Sequence, residues 1–465
     1  MLNEIIEIIN NSLYSYILIA LLIVGGIYFS VVTGFVQFRR IGSQFKAISE
    51  KPADKKGVSS FQALIVSTAS RVGTGNIIVV SSAICLGGFG SVFWMWLIAI
   101  IGSASAYAES TLAQIFKKRG KEGCYGGPAY YIEALNLKPL AIVFTICLIL
   151  TYGFGFNMLA SFNLQSTFSG YDYYNETYTP WMIGGIIAVL VAFCLLGGGK
   201  GIIKVTEILV PVMGIAYVLV AIFVILININ LIPQIFTRIF SEAFDLEAIF
   251  GGFSGSCIMY GIKRGLFSNE AGVGSAPNAS SSAEVSHPAK QGLVQILSVF
   301  IDTLLICTAT AFLCMCSGIE PTESIEGAQY VQLSLQKTLG SFGPVFITVA
   351  MMLFAFTTLL GNLYYVDKGI NYLAGKELST KVMNIIHILF SFVIFIGAGL
   401  NAKLLWNIAD VTMGLMTLIN VPVILILSKY VIRTTKDFDK QLKEGKNPTF
   451  KARDIGIKNK LDYWQ

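Results

Sequence analysis

Eleven stretches of mainly apolar residues, each long enough to cross a bilayer as a helix, constrain this chain more than any other feature. A bilayer core of about 30 Å requires about 20 apolar residues in a helix. Only 13% of the residues are charged, well below the proportion usual in a soluble domain. The sequence therefore predicts an all-α integral membrane protein. Its predicted spans are 13–38, 58–87, 91–116, 139–168, 181–197, 202–229, 247–279, 291–316, 341–366, 380–399 and 403–430.

The basic residues lie mostly in every second predicted loop, beginning with the first. Arg39 and Arg40 follow the first span, Lys117 and Lys118 the third, and Lys200 the fifth. Cytoplasmic loops of membrane proteins are enriched in Lys and Arg. We therefore expect a multi-pass protein of the cell membrane with its N-terminus outside and its C-terminus in the cytoplasm. Its basic tail is expected to lie beside the lipid surface.

Several classes of function lack support in the sequence. The net charge of +6 does not indicate nucleic acid binding, because the basic residues cluster in loops. The eight cysteines fit no zinc spacing, and neither H-E-x-x-H nor G-x-S-x-G is present. We therefore predict that the chain is not an enzyme. No obligate protein partner is evident.

The second predicted span contains a segment that should interrupt its helix near mid-membrane. Gly73 and Gly75 lie one residue apart there, and each weakens a helix by about 1 kcal/mol. In hydrocarbon, a broken backbone is tolerated only where it is buried in protein or lines a wet cavity. The sequence therefore predicts an internal cavity at this level.

The seventh predicted span repeats this disruption between 260 and 274. An Asn follows an Arg by five residues in both spans, as Arg71 with Asn76 and Arg264 with Asn269. Because the two spans lie five helices apart, they cross the membrane in opposite directions. Interrupted helices in corresponding places of two inverted halves are typical of a transporter's central site. The alternative is that the glycines only permit close helix packing.

This pattern predicts four parts. They are an extra N-terminal helix with a cytoplasmic loop (1–57), a first five-helix repeat (58–229), a second, inverted five-helix repeat (247–430) and a basic cytoplasmic tail (431–465). A central occluded site favours a transporter over a channel, which would need a continuous pore.

Eight short motifs resemble one family of transporters. They are RVGTGNI (71–77), VFWMW (92–96), YAE (107–109), GGPAYY (126–131), KRGLFSNEAG (263–272), GSAP (274–277), FIDT (300–303) and FAFTT (354–358). On these motifs the chain resembles the alanine/glycine–cation symporters, a branch of the LeuT-like fold. The resemblance implies sodium-driven uptake of small neutral amino acids. It also implies a 5+5 inverted repeat preceded by one extra helix, which agrees with the eleven predicted spans.

An amino acid presents a carboxylate and an ammonium, and each needs a partner where water is scarce. We expect the start of the outer half of the second span to hold the carboxylate, because a helix N-terminus attracts anions. Its candidate residues are Thr74, Gly75, Asn76 and Ile77. We expect the outer half of the seventh span to end near Met259 and Gly261, where free carbonyls would accept from the ammonium.

Sodium (Na+) prefers oxygen ligands. The resemblance implies that hydroxyls of the ninth span, Thr357 and Thr358, bind the ion together with backbone oxygens around Arg71 and Gly73. The alternative for this threonine pair is hydrogen bonding to its own helix. Thr74 and Asn76 are candidates for the carboxylate or for a second ion.

Two positions depart from the family's pattern. Asn362 stands where the family usually carries Trp, and Ala160 where a Gln is common. Both changes remove bulk, and Asn362 adds a donor and an acceptor. With Phe156 as an apolar wall, the sequence predicts a roomier and more polar pocket than one for alanine, suited to glutamine, asparagine or serine.

Ionisable groups within the spans are costly, so each should have a partner. Arg71 or Arg264 is expected to pair with Glu270 or Asp302. We expect these pairs to act as cytoplasmic gates, because both arginines lie inward of the predicted breaks. A proton-coupled amino-acid transporter is the main alternative, with Glu109, Glu270 or Asp302 carrying the proton.

Overall fold

The computed structural model describes residues 10, 13–50, 52, 57–120, 123–196, 198–245, 256–457 and 461–464, and helices dominate this part of the chain. The predicted start of the second repeat, 247–255, lies outside the described residues. In the first half, the helices are α1 (Leu18–Val32), α2 (Val36–Arg39), α3 (Ile41–Ile48), α4 (Ser60–Arg71), α5 (Gly75–Gly87), α6 (Gly90–Ile115), α7 (Pro128–Glu133), α8 (Lys138–Leu148), α9 (Phe156–Ser166), α10 (Thr179–Leu195), α11 (Gly198–Ile227) and α12 (Ile232–Ala243).

The second half continues in the same way. Its helices are α13 (Cys257–Asn269), α14 (Pro277–Ser280), α15 (Pro288–Val299), α16 (Thr308–Met315), α17 (Ala328–Leu339), α18 (Phe342–Ala374), α19 (Thr380–Ala398), α20 (Ala402–Ile426) and α21 (Ser428–Lys443). Two π-helical segments, Ile149–Gly155 and Phe300–Cys307, join α8 to α9 and α15 to α16. A third, Leu13–Ile17, precedes α1. Short 3₁₀ turns lie at Ile229–Leu231, Glu323–Ile325 and Ala452–Ile455, and strands β1 (Lys118–Arg119) and β2 (Cys124–Tyr125) form an antiparallel pair.

Seven helices within the described residues are long and apolar enough to cross a membrane, and the bent pair α4–α5 makes an eighth. The seven are α6, α8–α9, α11, α15–α16, α18, α19 and α20. In its most apolar window, α6 is 67% buried and α11 only 28%, so α6 is a central helix and α11 faces lipid. Helices α1 and α10 are apolar but shorter. The total of eleven spans remains a prediction.

The interruption predicted in the second span is confirmed. A capping box at Ser59 begins α4, which ends at Arg71. Val72 is extended, and α5 begins at Gly75 after a bend of 43°. The intervening Gly73 lies so close to α18 that a Cβ on it would overlap the hydroxyl of Thr358. Only glycine fits at this point of the break.

The interruption of the seventh span lies later than predicted. Helix α13 runs unbroken past Gly261 to Asn269. The break begins at Glu270 (φ 53°) and continues through Gly272 (φ 86°) and Gly274 (φ 89°). The expected end of the helix near Met259–Gly261 is therefore wrong. Gly261 instead packs against α6, where a Cβ would lie 2.5 Å from the Ser91 carbonyl oxygen.

The two interrupted helices run antiparallel. At one end of the bundle, a Cβ on Gly87 of α5 would lie 2.9 Å from the Cβ of Tyr260 at the start of α13. At the other end, the carbonyl of Val58, two residues before α4, accepts a hydrogen bond from the Glu284 N–H (2.9 Å), which follows the break of α13. We call these the Gly87 end and the Val58 end. The opposite directions agree with the inverted arrangement predicted from the sequence.

The segment that follows α20 packs on the Val58 end of the bundle. The indole Nε1 of Trp464 donates to the Gln114 carbonyl at the end of α6 (2.7 Å). The Ser286 hydroxyl, before α15, donates to the Pro448 carbonyl (2.7 Å). The predicted basic tail is thus attached to the ends of helices α6 and α15.

His287 links this tail to α15, and its protonation is expected to weaken the link. Its Nδ1 accepts from the Ala289 N–H (3.2 Å), while its Nε2 lies 3.2 Å from the Asp437 carboxylate. Burial lowers the pKa of His287, and this effect is larger than that of Asp437, which raises the pKa. Lys290 lowers the pKa further, and Glu50 raises it. The neutral ring therefore stabilises the fold above about pH 6.5, the usual histidine pKa. That contribution is lost as the pH falls below this value.

We expect the unfolding temperature of the purified protein to fall between about pH 7.5 and pH 5.5 because of this histidine. The His287→Gln variant keeps a donor and an acceptor but does not titrate, so its unfolding temperature should fall less over the same range. Thermal unfolding in detergent at several pH values measures both slopes. Equal slopes would show that His287 does not carry the effect.

Candidate functional site

A small cavity lies between the α4–α5 break and the end of α13. Its volume is about 20 Å³, which is room for about one water molecule. Four helical regions contribute to it. The lining residues are Ser70, Arg71, Gly73, Thr74 and Gly75 from α4–α5, Phe156, Leu159 and Ala160 from α9, Phe267 and Glu270 from α13 and its end, and Thr358 from α18.

The α4–α5 break supplies the cavity with a helix N-terminus. Thr74 precedes α5 and Gly75 is its first residue, and both line the cavity. The free amides and the dipole of a helix N-terminus favour a negative group at this place. Ile77 is fully buried in the hydrophobic core and is not a lining residue.

Asn76 points away from the cavity and towards a buried carboxylate. Its Oδ1 accepts from the Gly73 N–H (2.8 Å), and its Nδ2 donates to Asp302 Oδ1 (2.7 Å). The hydroxyls of Ser268 and Thr303 donate to Asp302 Oδ2 at 2.8 and 2.7 Å. We call Asp302, Asn76, Ser268 and Thr303 the Asp302 cluster. It joins the first interrupted helix to α13 and to the π segment before α16.

The two threonines of α18 differ in their surroundings. The Thr357 hydroxyl donates to the Leu353 carbonyl of its own helix at 3.0 Å, as the alternative interpretation expected. The Thr358 Oγ1 is buried, lines the cavity and has no hydrogen-bond partner among the described residues. It also lies against Gly73. Of the predicted pair, only Thr358 directs an unused oxygen towards the break.

An aromatic layer lies beside the cavity. The rings of Phe156 and Phe267 are 4.6 Å apart between centroids, and Phe267 lies 5.0 Å from Trp406. The guanidinium of Arg264 stacks on Trp406 at 4.5 Å. The predicted wall residue Phe156 is thus at the cavity, together with Phe267.

The two arginines lie on opposite sides of the breaks. Arg71 ends α4, on the Val58 side, and donates to Gln295 of α15 (2.9 Å). Arg264 precedes the break of α13, on the Gly87 side. The expectation that both lie inward of the breaks is wrong. It followed from placing the second break nine residues too early.

The expected ion pairs also do not form. Within the described residues, neither arginine lies within 4.0 Å of the carboxylate of Glu270 or Asp302. Glu270 instead accepts from the Ser275 hydroxyl (2.6 Å). A buried pair that the sequence analysis missed joins Lys263 to Asp410 of α20 (2.8 Å). The sequence did contain a signal for this pair, because Lys263 and Asp410 both lie within predicted spans, where a charged side chain needs a partner.

The structure separates the two positions that depart from the family's pattern. Ala160 lines the cavity. Asn362 does not, because its Oδ1 accepts from the Ser70 hydroxyl (2.7 Å) and its Nδ2 donates to Asn157 Oδ1 (3.0 Å). The expectation that Asn362 faces the substrate is wrong for this structure. Met259 and Gly261 are also not lining residues.

The break after α13 is fixed by a residue of α20. The amide of Asn420 donates to the Gly272 carbonyl (2.9 Å) and to Glu109 Oε2 (2.8 Å), and its Oδ1 accepts from the Tyr131 hydroxyl (2.5 Å). Asn420, Gly272, Glu109 and Tyr131 belong to four different parts of the chain. The loop at the break is therefore held in place from several sides.

The chain is similar to known proteins of one family. The family model described as the sodium:alanine symporter family matches residues 1–452. The amino-acid carrier protein AlsT of Bacillus subtilis is 42% identical over 100% of this chain and 98% of its own length. Two further proteins of B. subtilis are similar. They are the probable sodium/glutamine symporter GlnT (40% identity; 100% and 96% covered) and the putative sodium/proton-dependent alanine carrier protein YrbD (38%; 98% and 96%).

A solved structure supports the architecture. The crystal structure of MhsT in complex with L-phenylalanine aligns with a TM-score of 0.55 at 15% identity, over 83% of this chain and 93% of that one. At this identity the likeness shows the fold alone, which is LeuT-like. The relatives named above are transporters rather than enzymes. With two antiparallel interrupted helices around a cavity and a family match over nearly its whole length, this chain belongs to the sodium:alanine symporter family.

Proposed function

We propose that this chain is a sodium-coupled symporter that imports small neutral amino acids across the plasma membrane by alternating access. The observation that carries the proposal is the cavity itself. A helix N-terminus, the Thr358 hydroxyl, which has no partner in the described part of the chain, and the Glu270 carboxylate meet there between two interrupted helices. These groups match the two charges of a zwitterion and the oxygen preference of sodium.

The substrate's carboxylate would bind at the first turn of α5, beside Thr74 and Gly75, where the helix dipole favours an anion. Its ammonium would face the C-terminus of α13 and Glu270. The free carbonyls of a helix end accept hydrogen bonds, and the carboxylate adds an opposite charge. Glu270 therefore has a proposed binding role in place of the expected gate.

Sodium would bind at two places. The first is beside Thr358, with backbone oxygens of the Arg71–Gly73 segment, which lies against that hydroxyl. The second is the Asp302 cluster. Its carboxylate is fully buried and has no Lys or Arg nitrogen within 4.0 Å among the described residues. A buried charge without a counter-ion is costly, and a sodium ion among these oxygens would offset it.

Alternating access needs a barrier on each side of the cavity. On the Gly87 side, the rings of Phe156, Phe267 and Trp406 cover the site, with Arg264 over the ring of Trp406. On the Val58 side, Arg71 and Gln295 lie beneath it. From the loop charges we propose that the Val58 end faces the cytoplasm. A cavity of about 20 Å³ does not hold an amino acid, so these rings must move to admit one.

Alanine is the substrate class that the family's description supports. The name of GlnT favours glutamine, and Ala160 leaves side-chain space at the cavity. We therefore propose a pocket that accepts glutamine, asparagine or serine as well as alanine. Counterflow uptake of labelled amino acids into proteoliposomes, with and without sodium, tests the function. Alanine and glycine outcompeting every larger amino acid would discard the enlarged pocket.

Enlarging residue 160 is expected to change this selectivity. Ala160→Gln places a long side chain in a cavity lined by Phe156 and Phe267. We expect it to lower glutamine uptake at least tenfold relative to alanine uptake, since overpacking a filled site costs about 1–3 kcal/mol. Competition between the two labelled substrates measures the ratio. The control is Ala134→Gln, because Ala134 is exposed. Ala129 would not serve, because it is buried like Ala160. An unchanged ratio in Ala160→Gln would remove this residue from the pocket.

Proton coupling remains the second candidate, and one observation favours it. Glu109 is fully buried, and its Oε1 has no hydrogen-bond partner among the described residues. A buried carboxyl in this position is suited to take up a proton. The test is whether uptake follows an imposed sodium gradient at fixed pH. Uptake that follows only a proton gradient would favour Glu109 and reject sodium.

A further inference from the structure

Five cations of α21 form one continuous face, which we call the basic stripe. They are separated by four, three, four and three residues, the spacing of a single helix face, and all are exposed. The stripe consists of Lys429, Arg433, Lys436, Lys440 and Lys443. The opposite face of α21 is buried against the protein through Val431, Thr434, Thr435 and Phe438.

The carboxylates on and just after α21 pair with cations outside the stripe, although Asp439 and Glu444 border the surface that Lys436, Lys440 and Lys443 line. Asp437 lies 3.2 Å from His287. Asp439 pairs with both Arg39 and Arg40 at 2.7 Å. Glu444, just beyond the helix, pairs with Lys446 at 2.7 Å. The acidic groups are therefore used by other cations and leave the stripe with its positive charge.

The three lysines in the middle and at the end of the stripe form no direct ion pair among the described residues. Within the described part of the chain, no carboxylate oxygen lies within 4.0 Å of the Nζ of Lys436, Lys440 or Lys443. An exposed helix face of lysines without direct ion pairs attracts anions, and the contiguous spacing favours a surface over a single small ion.

The neighbouring helices α2 and α3 indicate the level of the stripe relative to the membrane. The Asp439 pairs fix α21 beside α2 and α3. These short helices expose apolar side chains, namely Phe38 (49% exposed), Ile41 (46%) and Phe45 (57%). Short helices with exposed apolar residues beside Arg and Lys lie in the plane of the membrane interface. The stripe on the adjacent helix is then at the level of the lipid headgroups.

We infer that the basic stripe of α21 is a docking surface for the anionic phospholipid headgroups of the leaflet that contains α3. The inference depends on the chain spanning a bilayer and not on which solute it carries. The buried face of α21 contacts the central helix α6, since Thr435 Oγ1 and the Tyr107 hydroxyl of α6 are 2.8 Å apart. Lipid bound to the stripe therefore holds the tail against the Val58 end of the bundle.

The test counts lipids that stay with the full-length protein. The protein is reconstituted in nanodiscs of equal parts phosphatidylcholine and phosphatidylglycerol, and the retained lipids are counted by native mass spectrometry. The stripe variant is Lys436→Gln/Lys440→Gln/Lys443→Gln. The matched control, Lys138→Gln/Lys376→Gln/Lys381→Gln, removes the same charge from exposed lysines away from the stripe.

We expect wild type and control to retain more phosphatidylglycerol than phosphatidylcholine, and the stripe variant to lose this preference. Each lysine near an anionic surface contributes roughly fivefold in affinity, so three predict a loss of about a hundredfold. Lys440→Gln alone should lose about fivefold. This single change keeps the test valid if the triple variant is unstable. A preference in the stripe variant as strong as in wild type would overturn the inference.

Two further measurements identify which kind of anion binds to the stripe. Salt at about 0.5 M, where the screening length is below ~5 Å, should weaken the preference of wild type. Inorganic phosphate at about 10 mM, at matched ionic strength, should leave it unchanged. Loss of the preference with phosphate alone would mean that the stripe binds small anions. No preference in wild type itself would point to a soluble acidic partner. Either result overturns the lipid assignment.

Discussion

Sodium-driven uptake by the Gly73→Ala variant is expected to fall at least a hundredfold while the protein still folds. A Cβ at this position would overlap the Thr358 hydroxyl and lie 3.0 Å from the Thr358 Cβ. The break and α18 must then separate, which displaces both the start of α5 and the proposed sodium ligands. Such overpacking costs about 1–3 kcal/mol, which a large membrane protein can survive. Uptake into proteoliposomes and monodispersity in detergent measure the two effects.

The matched control is Gly199→Ala, whose Cβ would meet Tyr364 at an ordinary 3.6 Å; its uptake should be unchanged. A second variant, Gly73→Ala/Thr358→Ala, removes the overlapping oxygen. If the Thr358 hydroxyl binds sodium, this double variant regains stability without regaining sodium-driven uptake. Full recovery of uptake would mean that Gly73 serves packing alone and that Thr358 is not a ligand.

The second large effect is expected at Asp302. Asp302→Asn keeps the shape of the side chain and removes its charge from the Asp302 cluster. We expect the sodium concentration for half-maximal uptake to rise at least tenfold, with a smaller change in the maximal rate at saturating sodium. The reason is that a buried carboxylate is stabilised by a bound cation, whereas an amide offers only a dipole. Uptake titrated with sodium at constant ionic strength measures both quantities.

This expectation replaces the one from sequence, in which Asp302 or Glu270 pairs with an arginine to form a cytoplasmic gate. Asp410→Asn is the control, because it also removes a buried carboxylate, the partner of Lys263, outside the cavity. It should lower stability and leave the sodium dependence unchanged. A lower maximal rate in Asp302→Asn at unchanged sodium dependence would restore the gate interpretation.

The chain's membrane class, its family and the first break could be predicted because each depends on local composition. A Gly-Thr-Gly segment within an apolar span weakens the helix at that point whatever packs around it. The second break could not be placed, because a glycine that permits helix packing and one that ends a helix look alike in sequence. Gly261 is the former, and Gly272 and Gly274, with positive φ, are the latter.

The contacts of polar side chains were the least predictable part of the site. Asn362 was expected in the pocket, but its amide is used by Ser70 and Asn157 on two other helices. The carboxylate of Asp302 was expected to meet a guanidinium and instead meets an amide and two hydroxyls. Spacing along one helix fixes which face a residue occupies. It does not determine which of several donors across the interior is nearest.

The two π segments next to the site change how these spans should be mapped. In Ile149–Gly155 and Phe300–Cys307 the backbone bonds reach one residue further than in an α-helix. One additional residue rotates everything downstream by about 100°. If each residue of such a span is labelled in turn, its accessibility to water should oscillate with the helical period on both sides of the π segment. The two oscillations should be out of phase with each other. Deleting a single residue from 149–155 would bring the patterns into phase and turn Phe156 and Ala160 away from the cavity that they line.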